Sequence, residues 1–293
     1  MVGAGTLSRP YVNKQIGRII RVFAWGVEEE HVQPNTVAAL REVKNLQRGE
    51  QGTFDNPPRQ EVPDEVVKRT LPFMSPTVAT MVKLQRLTGM RPSEIYRMTA
   101  GDIDKTRDPE LWYYTPKSHK TERYIGEKPI PLGTPEQELV APYLAGKTAE
   151  QSVFSPRRAM EEWYIERRAN RKSKICPSQE QRNRQRAKKP ASNVGEFYDV
   201  NSYRKAVENA IRKGNKTLPD EQKIPHWTPY QLRHAAVTAA EKAFGLDKAQ
   251  ALAGHRTANV TKRYAHGQLA IAESMARNRR NPFADEPAET QQT

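Results

Sequence analysis

The sequence predicts a mainly α-helical protein with one small antiparallel β-sheet, an α+β fold. Most of the chain carries apolar residues at the three- and four-residue spacing of amphipathic helices, and proline, glycine or small polar residues bound these stretches. Residues 111–132 differ, because aromatic residues flank a charged turn there, which is typical of a β-hairpin. A chain of 293 residues is long enough to form two domains with separate cores.

The composition indicates a polyanionic partner. The formal net charge is +14 and the pI is about 9.8, and such a surface concentrates nucleic acid. The one cysteine, Cys176, excludes an internal disulfide and a zinc knuckle. No stretch approaches the roughly 18 apolar residues of a membrane span, and Met1–Leu7 is too short and polar for a signal peptide. We therefore expect a cytoplasmic protein without a membrane partner.

Two helices and a linker are predicted at the start of the chain. Residues 10–30 place isoleucine, phenylalanine and valine on one face and basic residues on the other. Residues 31–35 break this pattern, and Asn35 can cap a second helix that reaches Val43. Residues 48–64 are polar and rich in proline and glycine, which is linker composition. Two helices alone bury too little apolar surface to form a domain.

A helix junction and the hairpin come next. A helix predicted to end at Gly89 is followed at once by another that begins at Pro92. Arg91 therefore lies between two helices, and both can fix its backbone while its side chain points into a cleft. Farther on, residues 112–114 and 124–132 are the predicted strands of the hairpin, and the turn between them is cationic.

The most basic stretch of the chain is residues 156–190. Two interpretations stay open, and both can hold at once. The stretch is a solvated or disordered loop, or it is an arm that lies along nucleic-acid phosphates. In the second case, the residues expected to contact phosphates are Arg167, Arg168, Arg171, Lys172, Lys174, Arg182, Arg184 and Arg186.

The last third of the chain is predicted to be helical. Glycines at positions 245 and 254 are placed to end two of its helices. The final one carries Tyr264 beside two basic residues and a histidine, which is not the apolar company of a core tyrosine. The predicted helices are Val200–Arg212, Pro229–Phe244, Leu246–Ala253 and Thr257–Ala265.

Four motifs in these segments occur in a fixed order. They are TGMRPSEI (88–95), HKT (119–121), PYQLRHAAVT (229–238) and LAGHRTANVTKRYAH (252–266). Any one of them alone would be a chance match. In this order, with the second on a hairpin tip, they resemble the catalytic domain of tyrosine recombinases, the phage integrase family.

The resemblance implies a reaction and the residues that carry it. Tyrosine recombinases cleave and rejoin DNA strands through a 3′-phosphotyrosine, without a metal or other cofactor. Tyr264 matches the nucleophile and Arg91 and Arg233 match the two phosphate-binding arginines, whose guanidinium groups suit the non-bridging oxygens. His255 matches the family's histidine, and Lys120 is the best match for the hairpin lysine that protonates the leaving oxygen, ahead of Lys117. Supporting positions are Glu94, His234 and Gly254.

The resemblance also implies an organisation and partners. It assigns residues 1–50 to part of a helical core-binding region, 51–64 to a linker, 65–280 to the catalytic domain with the 156–190 insertion, and 281–293 to a polar tail. The implied partners are double-stranded DNA and further copies of the chain, in a tetrameric assembly. An apolar stripe on a C-terminal helix docks either on a neighbouring copy or on its own chain, and consists of Leu269, Ile271 and Met275.

Two departures from the family pattern keep other hypotheses open. Tyr230 occupies the position where the family usually has a histidine that shares the proton transfers, and a phenol stays protonated near neutral pH. The front helices match only the last part of a core-binding domain. The alternatives are therefore an integrase remnant that binds DNA without efficient cleavage and a type IB topoisomerase-like enzyme that relaxes strands. A purely RNA-binding basic protein would not need the Arg-Lys-Arg-His-Tyr set.

Overall fold

The computed structural model describes residues 6–49, 52–57, 60–118, 127–188, 194–245, 265–279 and 282–283, with the backbone alone at 186–188 and 265–270. The chain divides into two compact units, Met1–Arg59 and Gln60–Thr293. None of the helices in these described ranges has the length and apolar character that crossing a bilayer requires.

The N-terminal unit consists of helices α1 (Arg9–Glu28) and α2 (Pro34–Arg41) and a segment that folds back on α1. The backbone N–H of Arg9 donates to the carbonyl of Phe54 over 2.9 Å, and its guanidinium lies 2.8 Å from Asp55. The expected cap at Asn35 is wrong. The cap is Gln33, because Pro34 has the fixed φ that suits a first helical position.

The second unit is mostly helical, with a three-stranded sheet. Its strands β1 (Ile103–Asp104), β2 (Trp112–Tyr114) and β3 (Ile130–Leu132) pair antiparallel in this order, and Trp112 lies opposite Leu132. The predicted α+β class and the helix Pro229–Phe244 are confirmed. The first strand was not predicted, since two residues show no alternating pattern. The described α-helices of this unit are α3 (Asp64–Thr70), α4 (Pro76–Thr88), α5 (Pro92–Tyr96), α6 (Thr134–Leu144), α7 (Pro156–Ala169), α8 (Pro177–Lys188), α9 (Val200–Gly214), α10 (Pro229–Phe244) and α11 (Ala265–Arg277).

Helix α4 forms the centre of the core and packs against α10. Met81, Val82 and Leu84 are fully buried, as is Leu232 on α10. A helix buried along most of its length fixes the ends of the helices around it, because close-packed interiors transmit small displacements. Both the loop after α4 and the start of α10 are therefore held by one core.

The basic stretch forms helices over Pro156–Ala169 and Pro177–Lys188, so the loop interpretation is wrong for these two segments, whereas residues 170–176 between them are not helical. Ser155 caps α7 by accepting a hydrogen bond from the backbone N–H of Arg158. Glu162 of α7 accepts hydrogen bonds from the backbone and hydroxyl of Thr77, which attaches α7 to the start of α4. Long unbranched side chains favour helix, and Arg184 pairs with Glu180 one turn away on α8. A basic segment that is exposed to solvent can therefore still form helices.

Helix α11 packs on its own chain. Tyr113 on β2 donates to the carboxylate of Glu273 over 2.9 Å, and Arg277 lies 2.6 Å from Asp108. Arg279, just beyond the helix, lies 2.6 Å from the buried carboxylate of Glu136. Of the two docking modes left open by the apolar stripe, this structure shows the one within the chain. Leu269 lies where only the backbone is described.

Replacing Gly133 with alanine is expected to destabilise the attachment of α11. A Cβ atom at position 133 would collide with the backbone carbonyl of Ala276, while the backbone conformation itself is one that any residue adopts. The expected loss is about 2 kcal/mol of unfolding free energy, as for other steric overpacking. Thermal unfolding and limited proteolysis at the C-terminus measure it. Gly195→Ala, which meets only ordinary contacts, is the control, and equal stability of both variants would contradict the prediction.

Candidate catalytic site

Arg91 is fixed at the junction between α4 and α5. Helix α4 ends at Gly89, whose φ of 66° is in the left-handed region that favours glycine. Arg91 then caps α5, and its backbone N–H donates to Oε2 of Glu94 over 2.7 Å. Its guanidinium Nη1 lies 3.0 Å from Oε1 of the same carboxylate. The RPSE motif therefore builds a local unit that orients the arginine.

Arg233 reaches the same junction from α10. The residue is only 3% exposed, and its Nη1 donates to the backbone carbonyl of Gly89 over 2.8 Å. Gly89 is two positions before Arg91, so the fold brings together two arginines that lie far apart in the sequence. We call Arg91 and Arg233 the arginine pair.

Lys128 joins this site and was missed in the sequence. Its ammonium lies 3.2 Å from Oε1 of Glu94, the oxygen that Arg91 also contacts. The Lys128 side chain is 14% exposed and that of Glu94 is 1% exposed. In a chain this basic, nothing in the sequence distinguishes Lys128 from other lysines. Its position two residues before β3 was the available signal, because the strand returns to the core there.

The candidate site contains three largely buried cationic side chains next to one carboxylate. Burial alone would raise the pKa of the Glu94 carboxyl, but Lys128 and the backbone N–H and guanidinium of Arg91 outweigh it, so the pKa is below its usual value. Burial lowers the pKa of the Lys128 ammonium, Glu94 opposes this by raising it, and Arg233 and Arg91 act with burial, so the pKa is below its usual value. Burial also lowers the pKa of the Arg233 guanidinium. Three cations around one carboxylate leave an excess of positive charge, which an anion would balance.

A buried glutamine ties the two arginine-bearing segments together. The amide of Gln85 on α4 donates to the carbonyls of Met90 and Pro229, over 3.2 and 3.0 Å. Its oxygen accepts a hydrogen bond from the hydroxyl of Tyr203 over 3.0 Å. Met90 precedes Arg91 and Pro229 begins α10, so Gln85 sets the spacing of the arginine pair. Sequence analysis missed it, because a glutamine within a helix usually faces solvent.

Tyr230 and His234 form one aromatic contact on α10. Their ring centroids are 5.1 Å apart and the rings meet edge to face at 71°. Tyr230 is 40% exposed. The Nε2 atom of His234 is buried and has no hydrogen-bond partner within the described residues. Tyr230 thus lies at the open side of the helix that carries Arg233.

The remaining predicted site residues either lie away from the arginine pair or fall outside the described residues. Lys120, Gly254, His255 and Tyr264 lie outside them, and α11 begins at the residue after Tyr264. Lys117 is exposed and lies 3.5 Å from Asp102. The structure places the basic residues of the insertion away from the core. Exposed side chains are described for Arg167, Arg168, Arg171, Lys172, Lys174, Arg182 and Arg184, and only the backbone for Arg186.

The model of the phage integrase family matches residues 62–270 of this chain. The chain belongs to the phage integrase family. It is thus an enzyme of the tyrosine-type site-specific recombinases, the class that breaks and rejoins DNA strands, as the ordered motifs predicted. The fold of the second unit is this family's catalytic fold.

Two solved complexes of one transposon integrase share the fold of this chain at low sequence identity. The Tn1549 transposon integrase in complex with a circular intermediate DNA is 15% identical, with a TM-score of 0.53, over 90% of this chain and 80% of that one. A second complex of that integrase gives a TM-score of 0.50 at the same identity and coverage. A lambda integrase dimer bound to a core site is 15% identical over 90% of this chain and 65% of that one, with a TM-score of 0.47. Among curated protein sequences, none matches.

Proposed function

We propose that this integrase cleaves and rejoins double-stranded DNA at a specific site through a 3′-phosphotyrosine on Tyr264, without a metal. The observation that carries the proposal is the arginine pair. Arg91 and Arg233 meet at one junction from distant segments, in a buried site with an excess of positive charge. Two guanidinium groups can donate to the non-bridging oxygens of a phosphodiester and stabilise the charge that develops on them.

The proposed reaction consists of a cleavage step and a rejoining step. The Tyr264 oxygen attacks the phosphorus while its proton passes to His255, and the bond from phosphorus to the 5′ oxygen breaks. The leaving oxygen takes a proton from Lys120 and departs as a 5′ hydroxyl. The phosphotyrosine keeps the bond energy, so a 5′ hydroxyl of another strand can attack the phosphorus and give its proton to Lys120. The bond from phosphorus to the Tyr264 oxygen then breaks, and His255 returns the proton to the tyrosine.

The proposal extends to partners and to the front unit. Each strand of two duplexes must be cut by a tyrosine of its own, so we propose that a tetramer assembles on paired sites. The two helices of the N-terminal unit are proposed to be part of a core-binding region that grips DNA. Tyr230 supports a second candidate function, a DNA-binding remnant that cleaves slowly or not at all, because no histidine occupies that position.

A trapping experiment separates the two candidates. The probe is a pool of nicked duplexes with randomised central positions, in which a short cleaved fragment diffuses away and prevents rejoining. An active recombinase leaves a covalent protein–DNA band on a denaturing gel, and sequencing the trapped DNA identifies the site. Sequence-selective binding by gel shift without any covalent band would instead support the remnant.

The basic insertion is expected to contribute to DNA binding by neutralising phosphates. The double variant Arg182→Gln and Arg184→Gln removes two exposed charges from α8. The slope of log K against log salt should become shallower by about 0.9 for each phosphate that the variant no longer neutralises. Filter binding over a salt series measures this slope. The control is Arg204→Gln with Arg212→Gln on α9, and equal slopes for both double variants would show that α8 does not touch DNA.

A further inference from the structure

We propose that Lys128 is a positioning residue that balances the charge of Glu94, so that Arg91 keeps its positive charge available to the reacting phosphate. The inference rests on the proposed function, since it concerns the same phosphate site. It assigns a role to a lysine that none of the four motifs contains. Lys128 is distinct from the hairpin lysine Lys120, which we assign to proton donation.

The geometry around Glu94 carries the inference. The two carboxylate oxygens of Glu94 make different contacts. Oε2 accepts the backbone N–H of Arg91, which holds the helix junction. Oε1 contacts two cations at once, Nη1 of Arg91 at 3.0 Å and Nζ of Lys128 at 3.2 Å. Glu94 is thus needed to orient Arg91, but its charge alone would cancel the charge that Arg91 must offer.

Charge counting shows why a second cation is useful. A phosphodiester carries one negative charge, and attack by a tyrosyl oxygen that has lost its proton produces a phosphorane with a second. Arg91, Arg233 and Lys128 against Glu94 leave two positive charges in excess, which matches the transition state better than the ground state. Without Lys128 the excess falls to one. Because the site is buried, a charge missing from it is poorly replaced by solvent.

The direct test is Lys128→Met, with Lys128→Gln as a second variant that keeps a hydrogen-bond donor for Glu94 and removes only the charge. On the nicked duplexes, single-turnover formation of the covalent adduct should slow by roughly 10- to 100-fold in both variants. Losses of this size are typical when a residue that orients a site residue is removed. DNA affinity should change little. Lys216→Met, which removes an exposed lysine charge, is the matched control.

The decisive variant combines Lys128→Met with Glu94→Gln. The change removes one charge of each sign, so the excess of two returns, and the glutamine oxygen can still accept the Arg91 backbone N–H. This double variant should recover most of the rate lost in Lys128→Met. Thermal unfolding confirms that each variant is folded. A folded double variant as slow as Lys128→Met would overturn the proposal, because a purely structural role predicts no recovery.

A modified substrate distinguishes positioning from proton donation. Replacing the bridging 5′ oxygen by sulfur gives a leaving group that departs without a proton. Lys128→Met should show the same fold loss on this substrate as on ordinary DNA. If sulfur restored the rate, Lys128 would be a proton donor and the charge-balance proposal would be wrong. Failure of the parent to form any adduct would reject the proposed function instead, whereas a Lys128→Met variant as fast as the parent would reject this inference alone.

Discussion

Replacing Tyr264 with phenylalanine is expected to abolish the covalent protein–DNA adduct and to leave DNA affinity unchanged. The substitution removes one hydroxyl oxygen, which is the atom proposed to bond to phosphorus, and keeps the aromatic ring. The proposed mechanism gives this role to Tyr264 alone. The parent and the variant are compared on the same nicked duplexes, by denaturing gel for the adduct and by gel shift for binding.

The control for this experiment is Tyr230→Phe, which removes a phenolic hydroxyl from a different tyrosine of the candidate site. It should still form an adduct. An adduct that persists in Tyr264→Phe would show that another residue is the nucleophile, and peptide mapping of the trapped DNA would identify it. Loss of binding in Tyr264→Phe would show instead that the tyrosine serves recognition.

Replacing Tyr230 with histidine is expected to raise the cleavage rate by about 10²-fold, the low end of what a well-placed acid or base supplies. Tyr230 is half-exposed at the start of α10, one turn before Arg233, so a smaller ring fits without repacking the core. An imidazole can gain and lose a proton near neutral pH, which a phenol cannot. The gain should appear in single-turnover cleavage and not in DNA affinity.

The pH dependence of this variant is diagnostic. The advantage over the parent should be largest near neutral pH, where a histidine holds either protonation state, and should be measured across roughly pH 6–9. A Tyr230→His variant that cleaves more slowly at every pH would contradict the prediction. It would show that the tyrosine hydroxyl acts itself, as a hydrogen-bond donor to the phosphate. Tyr230→Phe, which removes only that donor, would then be equally slow.

The helix junction of the candidate site was predictable because its signals are local. Glycine favours the left-handed conformation at position 89, and proline at position 92 suits the first turn of a helix. Arg91 was accordingly predicted at a junction, where the structure places it. The start of α10 at Pro229 and its end before Gly245 follow from equally local preferences.

Errors arose where the outcome depended on interactions between distant residues. The segment 156–188 was open to a loop interpretation because its charge suggested solvation, yet Ser155 caps α7 and Glu162 attaches it to Thr77 in another helix. The two-residue strand β1 exists only because Ile103 and Asp104 pair with β2. No pattern within such short segments encodes the partner.

By itself, the sequence determined the fold class, the strongly basic surface and the ordered motifs that identify the family. These depend on residue type, spacing and short-range backbone preference. Only the tertiary structure decided that α11 packs on its own chain, that Gln85 links both arginine-bearing segments, and that Lys128 shares Glu94 with Arg91. Each of these interactions joins residues far apart in the chain. The free energy that such interactions contribute depends on burial and charge pairing, which exist only once the core has formed.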